Sequence, residues 1–192
     1  MSYLKTTEYE IHPTEAYRII RSCAGCGCKK SYQSTGCFRV NANGTLLDVW
    51  LIYQCEKCGH TYNLPVFERV NRTEIPMERY QRFLANDGQE ALRVGLDKTL
   101  FKRAKAEVDW EAVEYEVCPC AGGAGREECP FVKSADGETE IVLHNPYELK
   151  LRADKILTEI LSLSRSRVRQ MMKDGSLEVP QAYVGKQMRI KG

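Results

Sequence analysis

Two short stretches of this chain repeat one pattern: Cys23-Ala-Gly-Cys26-Gly27 and Cys55-Glu-Lys-Cys58-Gly59, with 28 residues between Cys26 and Cys55. In each, two thiols three positions apart are followed by a glycine. The glycine lets the chain bend so that backbone amides approach the sulfurs. Two such turns supply four thiolates, the donor set of a tetrahedral Zn2+ site. The intervening length suits a strand, a turn and a returning strand. The pattern therefore predicts a zinc-ribbon-like region in which Cys23, Cys26, Cys55 and Cys58 hold a structural zinc ion. A closed set of four thiolates leaves no position for a substrate. Cys28 reads as a spectator thiol. His60, directly after the second turn, is a possible replacement ligand that a complete cysteine set does not need. The rival reading, a dithiol redox pair, calls for a Cys-x-x-Cys at a helix N-terminus beside a βαβ pattern, and strands are expected here.

The residues between the two turns include "FRVNANGTLLDVWLIY". Its Asn43-Gly44 is a hairpin signal of type I′, which needs φ > 0 at both central residues, and its flanks carry the β-branched and aromatic residues of strands. "TYNLPVF" reads as a further strand, at an edge because of Pro65. Residues 74–110 read as helical, entered at Pro76, with Leu92, Leu96 and Leu100 on one stripe. "WEAVEYEV" and "ETEIVLH" alternate like strands. The Gly- and Cys-rich segment between them contains Cys118, Cys120 and Cys129, which could form a second metal or redox site with Cys28 or Cys37. Its "AGGAGR" lacks the Gly-Lys-Ser/Thr ending of a phosphate loop.

The charge is unevenly placed. Residues 150–192 contain ten Lys/Arg and four Asp/Glu, against 18 and 22 in residues 1–149, within a net charge of +2. A localised basic segment on an acidic body suits a polyanion. In that segment Ile156, Leu157, Ile160 and Leu161 make an apolar helical stripe. Ser164 is placed to cap a second helix, whose Val168, Met171 and Met172 should face the first, and Gly175 is placed to end it. Arg165, Arg169 and Lys173 then fall on one outward face near Arg167. Guanidinium forks near a helix N-terminus favour phosphate.

The stretch "LRADKILTEILSLSRSRVRQMMKDGSLEV" resembles the RNA-binding module named after small-subunit ribosomal protein four, the S-four domain. Arg152, Asp154 and Leu157 match its opening, Ser164, Arg165 and Ser166 its turn, and Gly175 before "LEV" its helix end. After Val179 the chain has Pro180-Gln181-Ala182 where that family continues with Asn-Gly. The resemblance implies binding of structured RNA, ribosomal or transfer, through Arg152, Lys155, Ser164, Arg165, Arg167, Arg169 and Lys173. The chain as a whole resembles an uncharacterised bacterial family, the domain of unknown function one thousand and sixty-two. The matching residues are the two Cys-x-x-Cys pairs, "FRVNANG", "LDVWLIYQC" and "LSRSRVRQ".

Together these features predict an α+β protein in three parts. Residues 1–72 form a zinc-ribbon-like domain, 73–145 a helical segment and strand pair packed on it, and 146–192 a helix pair with short strands resembling the S-four module. The expected function is non-enzymatic binding of structured RNA. The alternative is a protein-interaction adaptor whose basic segment docks on an acidic partner. An enzyme using the loop cysteines is the third class, and no nucleophile elbow, paired-histidine motif or cofactor loop supports it. The start "MSYLKTTEYEIH" has no apolar signal core, and nine cysteines cannot all pair. The chain therefore reads as cytoplasmic, with reduced thiols and no membrane span.

Overall fold

The structure, a computed structural model, describes residues 5–120 and 139–192. Among them are two sheets and five α-helices, so the protein is α+β. The chain divides into two compact units, residues 15–114 and residues 1–14 with 115–192.

In the unit of residues 15–114, five strands form a curled antiparallel half-barrel. In sequence they are β2 (Ile19–Cys23), β3 (Cys28–Asn43), β4 (Leu46–Cys55), β5 (Thr61–Asn71) and β6 (Glu107–Val108), in spatial order β5-β4-β3-β2-β6. Strict alternation in β4 turns Leu47, Val49, Leu51 and Tyr53 into the core, as a half-buried strand requires. Tyr17, Tyr32, Phe83 and Phe101 complete that core, and the Tyr53 hydroxyl donates to the Tyr17 carbonyl at 3.0 Å. Strand β5 lies at the edge, so Pro65 costs no ladder bond on its open side. The β3–β4 turn forms where expected but one residue later. Asn43 pairs with Leu46, leaving Gly44 (φ +62) and Thr45 as the loop. Thr45 has no positive φ, so glycine at the first position makes this the II′ pattern rather than I′.

The helical stretch is broken into α1 (Met77–Leu84), α2 (Gly88–Gly95) and α3 (Lys98–Arg103). Asp87 and Asp97 accept from the first-turn amides of α2 and α3, so each restarts a helix. The Leu92–Leu96–Leu100 stripe is thereby divided between two elements. Gly95 is held against Ala16, where an added Cβ would lie 2.3 Å from the Ala16 Cβ.

The other unit is a mixed sheet of order β7-β1-β8-β9. Its strands are β1 (Lys5–Pro13), β7 (Tyr115–Pro119), β8 (Thr139–His144) and β9 (Gln187–Lys191). Strand β1 runs antiparallel to β7 and parallel to β8. Strand β1 thus joins residues 115–119 and 139–144 in one sheet, and the two compact units divide at residues 14 and 114. Asn145, fully buried, donates to the carbonyls of Leu149 and Val184 and accepts from the Leu149 amide, fixing the turn that leaves β8. Helices α4 (Ala153–Leu161) and α5 (Arg165–Lys173) follow. Ile156, Leu157, Leu161 and Val168 are buried between them and the sheet, while Met171 and Met172 are half-buried. No described helix is long and apolar enough to cross a membrane.

Candidate metal centre and basic helix face

The inward alternation that buries Tyr53 continues to Cys55 at the end of β4, and the same alternation in β2 buries Ile19 and then Cys23. Strand β3 lies between them, with the buried Tyr32 paired to Ile19 on one side and to Cys55 on the other. After each strand the chain makes a tight turn. The Gly27 amide bonds the Cys23 carbonyl and the Gly59 amide bonds the Cys55 carbonyl, both at 2.9 Å. Gly27 and Gly59 have φ of +69° and +71°, a conformation open to glycine at no steric cost.

These turns bring the Sγ atoms of Cys23, Cys26, Cys55 and Cys58 within 4.8 Å of one another. Cys23 lies 3.4 Å from Cys58, and Cys26 lies 3.9 Å from Cys55. Zn–S bonds of about 2.3 Å set the thiolates of a tetrahedral site about 3.8 Å apart, so the four sulfurs are spaced for one such ion. Gly25 completes the cradle, since a Cβ there would come 3.1 Å from the Cys58 sulfur. The protonation of the cluster is uneven. A hydrogen bond from the Tyr32 hydroxyl is the main cause that brings Cys23 down to about 6. Sharing with Cys58, then burial, pushes Cys26 up to about 12. Four thiols this close cannot all ionise without a cation, which is the condition metal binding meets. Cys28 is exposed and outside the cluster. His60 is exposed and takes part through its backbone carbonyl, which accepts from the Cys55 amide.

Of the remaining cysteines, Cys28 and Cys37 belong to one unit and Cys118 and Cys120 to the other. Cys129 lies outside the described residues, as does "AGGAGR".

On α4 and α5 the structure gathers the basic residues around an acid that sequence reasoning used only as a motif match. Asp154 is 3% exposed, and its carboxylate accepts from three guanidiniums. Arg152 Nε and Arg165 Nη2 reach Oδ1 at 3.0 and 3.3 Å. Arg165 Nε and Arg169 Nε reach Oδ2 at 3.0 and 2.9 Å. Burial pushes this carboxyl up, but the hydrogen bonds of Arg165, Arg152 and Arg169 outweigh it and hold the group well below the usual carboxylate range. The arginine side chains remain about half exposed, at 47%, 47% and 55%. Ser164 caps α5 through the Arg167 amide. Lys155, Arg167 and Lys173 are exposed on the same two helices, with the Lys155 ammonium 4.8 Å from the Tyr115 ring. Tyr183, 44% exposed, lies beside Lys150 and Arg152, whose charged ends are 5.8 and 5.9 Å from its ring centroid. Sequence reasoning missed Tyr183. Its only signal was an aromatic in a Pro-Gln-Ala-Tyr stretch with no periodicity.

No curated protein and no solved structure matches the chain. The family described as "Protein of unknown function (DUF1062)" matches residues 40–182. That span includes Cys55, Cys58, Asp154 and the three arginines around it, and stops one residue before Tyr183. Since it covers about three quarters of the sequence, the chain belongs to the DUF1062 family.

Proposed function

We propose that this protein binds structured RNA, of the ribosomal or transfer kind, through the basic face of α4 and α5, and that a zinc ion at Cys23, Cys26, Cys55 and Cys58 stabilises its half-barrel. In this reading the N-terminal hairpins act as a zinc ribbon, residues 146–192 act as an S-four-like module, and neither carries out catalysis. A cytoplasmic setting, where thiols stay reduced, suits the four free cysteines.

The observation that carries the RNA reading is the cluster on Asp154. Three guanidiniums share one buried carboxylate, so the cluster keeps a net positive charge, and its donors are oriented in advance while still open to solvent. Preoriented forks match phosphate oxygens better than flexible lysines do. Lys155, Arg167 and Lys173 extend the charge along the helices, and Tyr183 between two cations offers a surface on which an unpaired base can stack. Phosphate contacts of this kind make affinity fall steeply with salt.

The test is fluorescence anisotropy with a folded transfer RNA and a ribosomal RNA hairpin across a salt series. Each phosphate contact removed should lower the salt slope by about 1. Lys155, Arg167 and Lys173 changed together to Gln should therefore lower it by about 3. Unchanged affinity and slope would remove the helix face from the reading. Co-purification at low salt with a protein and no nucleic acid would favour an adaptor.

A further inference from the structure

In the β7-β1-β8 sheet the pairing registers place an unusual set of side chains on one face. In the antiparallel ladder Glu10 faces Cys118, and one step further the Cys120 amide bonds the Glu8 carbonyl at 2.9 Å. In the parallel ladder Glu8 pairs with Val142 and Glu10 with His144. Residues two apart on a strand, and residues opposite one another, share a face. Glu8, Glu10, Cys118, Cys120 and His144 therefore all project to the same side. Three of them converge. The Glu8 carboxylate, the Cys120 thiol and the His144 imidazole place a ligand atom each within 4.8 Å of the others. His144 Nε2 and Glu8 Oε2 are 2.9 Å apart. In a tetrahedral site with Zn–N and Zn–O bonds of about 2.0–2.1 Å the two atoms would be about 3.3 Å apart, so a small outward shift makes room for an ion.

We propose that Glu8, Cys120 and His144 form a second metal site, separate from the four-cysteine centre, that takes a divalent ion of the zinc class. The donor set is one sulfur, one nitrogen and one oxygen, which suits borderline Zn2+ rather than the oxygen-seeking Mg2+ or Ca2+. The two sites differ in kind. The four-thiolate centre is closed. Three protein ligands on a sheet face leave a fourth tetrahedral position to water or to an incoming ligand, the arrangement of exchangeable zinc rather than of a structural staple. Glu8 is exposed and His144 and Cys120 are half-buried, so the ion can enter from solvent. Being open and held by one thiolate, this site should be the weaker of the two and give up its ion first to a chelator. The proposal stands independently of RNA binding.

The experiment is zinc stoichiometry on the purified full chain after saturation with Zn2+ and removal of free metal, with a graded chelator titration. The wild type should carry two zinc ions per chain, released in two steps. His144→Ala and Cys120→Ser should each carry one, with the early step missing. Cys23→Ser with Cys26→Ser should lose the late step and keep the early one. A Co2+ titration of protein whose four-cysteine centre is already filled with Zn2+ gives a second reading. It should produce a single thiolate-to-cobalt charge-transfer band that Cys120→Ser abolishes. Glu8→Gln, which preserves shape, should weaken Co2+ binding at least tenfold. Absence of the early-released zinc ion in the wild type, or stoichiometry and Co2+ spectra unaltered in His144→Ala, Cys120→Ser and Glu8→Gln, would overturn the proposal. Failure of the four-cysteine centre alone would appear as loss of the late step only.

Discussion

Asp154→Asn tests whether the arginine cluster is part of the fold of α4 and α5. The substitution keeps shape and one carbonyl oxygen but removes the charge, and it sets an NH2 group among guanidinium donors. Four charge-assisted hydrogen bonds are affected. Breaking a buried ion pair by removing one partner costs about 3–5 kcal/mol. Here the carboxylate is buried but the guanidiniums are about half exposed, so they rehydrate and the expected cost falls to about 2–3 kcal/mol. For a unit of about 90 residues that is a drop of about 8–24 °C in Tm. The pH dependence has a definite sign. The carboxyl is depressed in the folded state, so its stabilisation is complete above the unfolded Asp value of about 3.9 and is lost as pH falls through the lower folded value. The gap in Tm between wild type and variant should be constant from about pH 5 upward and shrink below about pH 4. Thermal unfolding by circular dichroism at a series of pH values reads both effects. A variant within about 2 °C of wild type at neutral pH, or a gap that widens on acidification, would refute this account of Asp154.

Three further outcomes are expected. Saturating zinc at 1,000 times its Kd contributes about 4 kcal/mol to a site absent from the unfolded chain, so a strong chelator, or Cys55→Ser, should lower the Tm of the half-barrel unit by at least about 15 °C; calorimetry with and without added zinc checks it. Tyr183→Ala should cost about 1–3 kcal/mol of affinity for RNA with an unpaired base, a loss of about 5- to 150-fold read by anisotropy, with a smaller change in Tm than Asp154→Asn because the ring is 44% exposed. Gly95→Ala should destabilise by about 1–3 kcal/mol through overpacking, since its Cβ would meet Ala16 at 2.3 Å; urea unfolding measures it.

What the sequence made legible was local. The two Cys-x-x-Cys-Gly turns, the β-branched and aromatic flanks that form β3 and β4, the edge position of β5 and the Ser164 cap with Gly175 beyond α5 each depend on neighbours a few residues apart, and each stands in the structure as expected. What escaped depends on partners far away. Nothing within "KTTEYEIHP" states that it pairs with residues 139–144, so the placement of β1, the division into units and the convergence of Glu8, Cys120 and His144 were invisible. The broken helical stretch was legible in principle. Asp87 and Asp97 are N-cap residues by type, but the leucine stripe at intervals of four read across them.

Asp154 changes how the basic face must be tested. A run of arginines on a helix invites charge reversal at each position, and Arg165, Arg167 and Arg169 look equivalent in sequence. In the structure they are not. Arg165 and Arg169 bond a buried carboxylate and Arg167 does not. Glutamate at 165 or 169 would set a second negative charge against Asp154 and take away its partner, so lost RNA binding there would report a damaged helix pair as readily as a lost phosphate contact. Only positions whose charge is not bound to Asp154 separate the two effects. A neutral change at Lys155, Arg167 and Lys173 leaves the cluster and the Tm in place. A fall in salt slope without a fall in Tm is the result that assigns the face to RNA, and a fall in both would make Lys155, Arg167 and Lys173 part of the fold.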